Sequence, residues 1–175
     1  LNNIPLFSIE STTSLDEFDI IGFTMPYELC YTNMLNMLQL GNVPIRSKDR
    51  TSLKNIVVAG GPCACNPEPI ADFVDAFFIG EGEELDGEFV ALFNEHKKKG
   101  SDKQTFLREA AKIQGVYVPA FYDVEYNEDM TIKAVTPKFD DVPAKVTKRV
   151  IRNLDTAYYP DKFVVPFIDV VHDRS

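Results

Sequence analysis

Three short runs of apolar, β-branched residues recur along the chain, each cut off by glycine or proline and each followed by residues at helical spacing. Residues 19–25 (DIIGFTM) lie between an acid and Pro26 and predict a strand buried on both faces. Pro26 suits the first turn of a helix, where its missing N–H leaves nothing unpaired. Cys30, Met34, Met37 and Leu38 then recur at helical spacing, and Gly41 is expected to supply a left-handed stop. Residues 55–59 (NIVVA) predict a second strand ending in Gly60-Gly61-Pro62, after which Asn66 reads as an N-cap, with Pro67 and Glu68 opening a short helix to about Phe73. Residues 74–79 (VDAFFI) predict a third strand, closed by Gly80-Glu81-Gly82. A helix follows over 83–99, with Glu83, Glu84 and Asp86 at its positive end and Phe89, Leu92 and Phe93 as its apolar stripe. A further helix, about 102–113, stops at Gly115.

Strands that alternate with helices imply right-handed crossovers and a parallel sheet. The fold class is therefore α/β, a Rossmann-like or flavodoxin-like three-layer module with a mostly parallel sheet. Three strands are few for a doubly wound domain, so the sheet is expected to be incomplete, its first strand and helix lying before Leu1. An open sheet edge offers unpaired backbone groups, and a homodimer through that edge is expected. After Gly115 the pattern changes. Residues 121–126 and 131–136 alternate as strands around Asn127-Glu128-Asp129 and predict a hairpin. Pro137, Pro143, Pro160 and Pro166 then break the chain into an extended tail. The division is a partial α/β domain over 1–115, with a hairpin and connector over 116–175.

Composition narrows the partners. Hydrophobic residues make up 45% of the chain and charged ones 26%, an ordinary globular balance. No apolar run is long enough to span a bilayer, and no secretion leader follows Leu1, so a cytoplasmic chain with no membrane partner is expected. A net charge of −9 argues against nucleic acid, whose phosphates are bound by clustered Lys and Arg. Lys97-Lys98-Lys99 reads as a solvated helix end; Lys145, Lys148, Arg149 and Arg152 read as a solvated face or as a contact for an acidic partner domain. Cys30, Cys63 and Cys65, an odd number without a leader, suit a reducing compartment.

Candidate chemistry concentrates in residues 57–84. Two strand ends, each with a glycine turn and a helix start, fall on one edge of a parallel sheet, and open α/β sheets bind ligands outside the carboxyl ends of their strands. Gly60, Gly61, Gly80 and Gly82 would let backbone approach a ligand, or would only make tight turns. Cys63 and Cys65 beside the first turn are a candidate thiol or metal pair, too small a ligand set for zinc alone. Glu81, Glu83 and Glu84 form a carboxylate cluster or complement the helix dipole. Glu28, beside Tyr27 and Tyr31, is a candidate polar contact in a cleft. His96 is expected on the surface and His172 in the tail.

Taken together, Gly60-Gly61-Pro62, Asn66-Pro67-Glu68-Pro69, Asp75 and Gly80-Glu81-Gly82-Glu83 resemble the N-terminal cobalamin-binding-type domain of radical S-adenosylmethionine proteins. The stretches at 5–11, 27–33, 115–119 and 165–174 are similar to one Fe–S oxidoreductase-like group among them, so the resemblance covers nearly the whole chain. It implies cofactor contacts at Gly60, Gly61, Pro62, Gly80, Glu81 and Gly82. It also implies a catalytic barrel downstream in the same chain, where a Cys-x3-Cys-x2-Cys motif would hold a 4Fe-4S cluster and S-adenosylmethionine. That motif is absent here, as is the Asp-x-His-x-x-Gly loop that carries the lower ligand of many cobalamin proteins. The expected role is that of an accessory domain with no catalytic residue and no cofactor of its own, positioning substrate or capping the barrel. The alternatives are a genuine corrinoid (cobalamin) domain and a stand-alone enzyme using Cys63 and Cys65.

Overall fold

The structure is a computed structural model that describes residues 4–158. Strands β1 (Ile20–Thr24), β2 (Ile56–Gly60), β3 (Ala76–Phe78) and β4 (Val116–Tyr117) form one sheet in that order. Helix α1 (Cys30–Leu40) links β1 to β2, while α2 (Gly82–Lys99) and α3 (Lys103–Ala110) stand between β3 and β4. Strands β5 (Tyr122–Tyr126) and β6 (Ile132–Pro137) make a separate antiparallel hairpin. The sheet is parallel from Ile20↔Ile56 to Thr24↔Gly60 and from Val58↔Ala76 to Ala59↔Phe77, and only β4 runs against it, pairing Phe77 with Tyr117. The α/β class and the mostly parallel sheet are as the sequence predicts.

The fourth strand was not expected. Two residues carry too little alternation to register as a strand, and β4 exists because Val116 and Tyr117 are buried against β3. Val116, Tyr117, Val118, Phe121, Tyr122 and Val142 enter the same core cluster as Ile56, Val57, Phe77 and Leu85. Residues on both sides of position 115 thus share one core. The segment beyond β6 lies on that core, with Val142 and Ile151 buried. The stretch at 165–174, His172 and the prolines at 160 and 166 lie outside the described residues.

The two faces of the sheet differ. Strand residues alternate between faces. On one face Ile21, Val57, Ala59 and Phe77 are all 5% exposed or less. On the other, Ile56, Val58 and Ala76 are buried, but Gly22 and Thr24 are exposed and Ile20, Gly60 and Phe78 only half-buried. Helix α2 covers part of this second face, with Phe89 edge-on to Phe78 at 4.9 Å between centroids. Phe106 of α3 meets Phe89 at 5.2 Å and Phe93 at 5.4 Å, which ties the two helices together.

Several local expectations are corrected. Helix α1 begins at Cys30, not at Pro26, and Gly41 is not left-handed: its φ is −87°, and Asn42, at φ 57°, makes the turn instead. Glycine is needed at 41 for space, since a Cβ there would stand 2.5 Å from Leu15 Cδ2. Asn66 is not an N-cap but closes a 3-10 turn with its N–H on Cys63 O, and the predicted short helix is two 3-10 turns, Pro62–Cys65 and Glu68–Ile70, because the second proline at 69 interrupts an α-helical ladder. His96 is buried, packing edge-on to Phe106 at 5.7 Å. It continues the buried stripe Leu85, Phe89, Phe93 of α2.

Candidate functional site

A groove of about 450 Å³ runs along the half-open face of the sheet to the carboxyl ends of β1, β2 and β3. Its floor is Ile20, Gly22, Thr24, Val58 and Phe78, its wall is Phe89 and Val90 of α2, and its far end is Gly60, Gly61, Gly80 and Gly82. The two glycine turns therefore open onto one groove. Of the six residues singled out by the sequence, these four line it. Pro62 instead starts the 3-10 turn that carries Cys63 and Cys65, and Glu81 is the N-cap residue of α2.

The glycines are also needed by the chain itself. Gly61 has φ +90°, and a Cβ on it would meet Met25 O at 3.1 Å and Met25 N at 3.2 Å, where the strand β1 ends. Gly80 has φ +112°, and a Cβ there would overlap the main chain of Arg149. Arg149 N–H donates to Ile79 O (2.8 Å), and Glu81 N–H donates to Arg149 O (3.1 Å), so the approach that Gly80 permits is taken by residue 149. The Glu81 carboxylate accepts from Ile151 N–H. The basic stretch expected to be solvated, or to meet an acidic partner domain, instead puts Arg149 against acids of its own chain, Glu84 (2.6 Å) and Glu88 (2.7 Å) of α2.

Asp86 stands at the groove mouth, its carboxylate folded back toward Gly82. Withdrawal from water, followed by the charge of Glu83, pushes its carboxyl above the ordinary range. Tyr31 and Cys63 meet across the turn; burial and the Cys63 contact, with Glu28 adding negative charge, raise the Tyr31 hydroxyl. Cys30 and Cys63 are half-buried and Cys65 is exposed. Among the described residues no three His, Cys, Asp or Glu side chains are placed to hold a metal ion, so this donor set does not fit an iron–sulfur cluster. Nor does it fit a histidine-ligated corrinoid, since the groove lining contains no histidine.

The charged residues that sequence reasoning missed sit at the opposite ends of the strands. Asp75, just before β3, accepts from Arg50 Nη2 (3.0 Å), Lys103 Nζ (2.6 Å), the Ser47 hydroxyl and Val57 N–H (2.7 Å). Arg50 and Asp75 are sealed from solvent, and burial lowers the Lys103 ammonium against the opposing pull of Asp75. Only Asp75, as part of a motif, was visible in the sequence; nothing about Arg50 or Lys103 marked them as its partners. Tyr117 donates to Glu68 (2.8 Å), and burial with that contact pushes its hydroxyl far above the ordinary range. A larger cleft of about 680 Å³ opens at this end, and three of its cations are paired within it or close by: Arg46 with Asp72, Lys103 with Asp75 and Lys138 with Asp123.

A family model described as the N-terminal region of radical SAM proteins matches residues 1–119. The chain belongs to that family. An uncharacterised protein of Methanocaldococcus jannaschii, MJ0966, is 28% identical to this radical SAM N-terminal domain over 145 residues, which is 81% of this chain and 26% of that protein. The domain thus spans about a quarter of the length of that relative. No solved structure matches it. No helix among the described residues is long and apolar enough to cross a membrane.

Proposed function

We propose that this domain caps the catalytic barrel of a longer radical SAM protein and helps position its substrate, with the groove beside α2 as the face turned toward the barrel. The observation that carries this reading is the uneven sheet. Parallel sheets are ordinarily covered on both faces, because strands buried between helices are stable and half-exposed apolar strands are not. Here Ile21, Val57, Ala59 and Phe77 of one face are buried, while Gly22 and Thr24 of the other remain exposed beside an apolar groove floor. The relative that aligns with most of this chain has about four times its aligned length, so a longer polypeptide of this family has material to cover such a face. The radical chemistry belongs in this reading to a cluster held elsewhere in that polypeptide, and the domain supplies walls rather than reacting groups.

The test uses a longer protein of this family beside the 175-residue chain. After anaerobic reconstitution with iron and sulfide, the longer protein should show an iron–sulfur absorbance and cleave S-adenosylmethionine, and the chain alone should do neither. Gly22→Trp is the decisive variant, because Gly22 has room for a Cβ, with Val58 Cγ2 its nearest neighbour at 3.7 Å. In the longer protein Gly22→Trp should leave the cluster in place while exposing the polypeptide to protease between cap and barrel. An unchanged cleavage pattern removes the groove as the docking face.

A further inference from the structure

In the Gly-Glu-Gly-Glu-Glu stretch at 80–84, Gly80, Glu81 and Glu84 are engaged within the chain. Ile79 O and Glu81 N–H bracket Arg149 in a single parallel bridge at Gly80. The Glu81 carboxylate holds Ile151 N–H. The Arg149 guanidinium is forked between two carboxylates one helical turn apart: Nε and Nη2 reach Glu84 Oε2 at 3.2 and 2.6 Å, while Nη1 and Nη2 reach Glu88 at 3.3 and 2.7 Å. From the other side, Gln114 Nε2 donates to Lys148 O at 3.0 Å. Lys148, Arg149 and Ile151, three of the four residues from 148 to 151, are thus held in place, Lys148 by Gln114 and the other two by the rim.

We propose that residues 148–151 form a releasable strap, and that the glutamate-rich start of α2, with Gly80, is its dock. Gly80 makes main-chain approach possible, Glu81 fixes the register at both of its backbone neighbours, and Glu84 with Glu88 recognise one guanidinium bidentately, a geometry that suits arginine and not lysine. The strap is releasable because the acidic half of its ionic contact faces water: Glu84 keeps 50% of its side-chain area and Glu88 47%, while the Arg149 side chain keeps 15%. Exposed ion pairs are screened by salt and hold weakly, whereas sealed ones do not let go. Docked, the strap closes the β3 end of the groove; undocked, it frees the Glu81 amide and the space beside Gly80. The strap stands on contacts within the described residues, and only its effect on a docked barrel rests on the capping role proposed above.

Amide hydrogen exchange of the 175-residue chain tests it, read at Glu81 and Ile151 with Val57, whose N–H is bound by Asp75, as the internal reference. Arg149→Ala should speed exchange at Glu81 and Ile151 about tenfold or more and leave Val57 unchanged. Glu84→Gln with Glu88→Gln, at positions half exposed on α2, should do the same, and combining all three changes should add nothing further, because one interaction is being removed twice. Arg149→Lys should fall between, and rising salt should speed exchange in the native chain and not in Arg149→Ala. The proposal is overturned if Glu81 and Ile151 exchange at native rates in both variants, if the effects add, or if Val57 accelerates in step with them, which would mean whole-domain opening. Should Arg149→Ala fail to fold, the paired glutamine variant gives the same readout alone.

Discussion

At the amino ends of β2 and β3, Arg50 is locked onto Asp75 inside the protein; at the carboxyl ends, Arg149 lies on Glu84 and Glu88 at the surface. Both arginines join segments far apart in sequence. Arg50 has its donors met by Asp75 and by the carbonyls of Pro44, Ile45 and Phe73, and Lys103 adds a second cation to the same carboxylate. With no water to take over any of these bonds, the knot opens only with the fold. Arg149 is mostly covered itself, but its two carboxylate partners, Glu84 and Glu88, are half exposed. The same residue type is thus a permanent fixture in one place and a releasable one in the other, and burial alone makes the difference.

The largest effect that would break this contrast lies at the sealed end. Asp75→Ala leaves two buried cations without their counter-ion and the Val57 amide without its acceptor, and should lower unfolding stability by about 3–5 kcal/mol in denaturant titration. A loss near zero would mean that the knot is not sealed. Next comes Gly61→Ala, which forces a Cβ against Met25 at φ +90° and should destabilise by about 1–3 kcal/mol, again by chemical denaturation.

Alkali sharpens the contrast further. The Tyr117 hydroxyl is raised by burial and by Glu68, so above its ordinary value of 10.0 the unfolded chain loses a proton that the folded chain keeps. Stability should therefore fall as pH climbs past that value, by about 1.4 kcal/mol per pH unit for this one group. In Tyr117→Phe that share of the slope disappears. By contrast, Arg149→Ala should lower the unfolding midpoint only slightly, far less than Asp75→Ala, since the carboxylates it pairs with are half exposed. The smallest effect belongs to Asp86, whose raised carboxyl binds a proton more tightly folded than unfolded. Its charge thus weighs against the fold above the carboxylate range, and Asp86→Asn should raise unfolding stability at neutral pH by no more than about 0.5 kcal/mol given its exposure, seen as a slightly higher thermal midpoint. A lowered midpoint would mean that the α2 dipole outweighs Glu83.

The sequence was most readable where a pattern repeats. β1, β2 and β3 announce themselves as β-branched runs, and α2 carries a stripe long enough to count. Strand β4 and the 3-10 turns at 62–70 are too short to establish a period, and only their burial defines them. His96 was open to a better reading, because Leu85, Phe89 and Phe93 point to 96 as the next buried position. The four groove glycines were legible as one rim, since the strand–turn–helix order places both turns at the same sheet edge. Partnerships were not: nothing local ties Arg50 to Asp75 or Arg149 to Glu84, because ion pairs between distant segments leave no mark on either one.

The most direct measurement is amide hydrogen exchange of the chain alone against the same residues in a longer radical SAM protein. The account predicts strong slowing in β1 and along the groove face of α2 in the longer protein, with Val57 and Asp75 unchanged because they are already sealed. Equal exchange in β1 and α2 in the two proteins would contradict it.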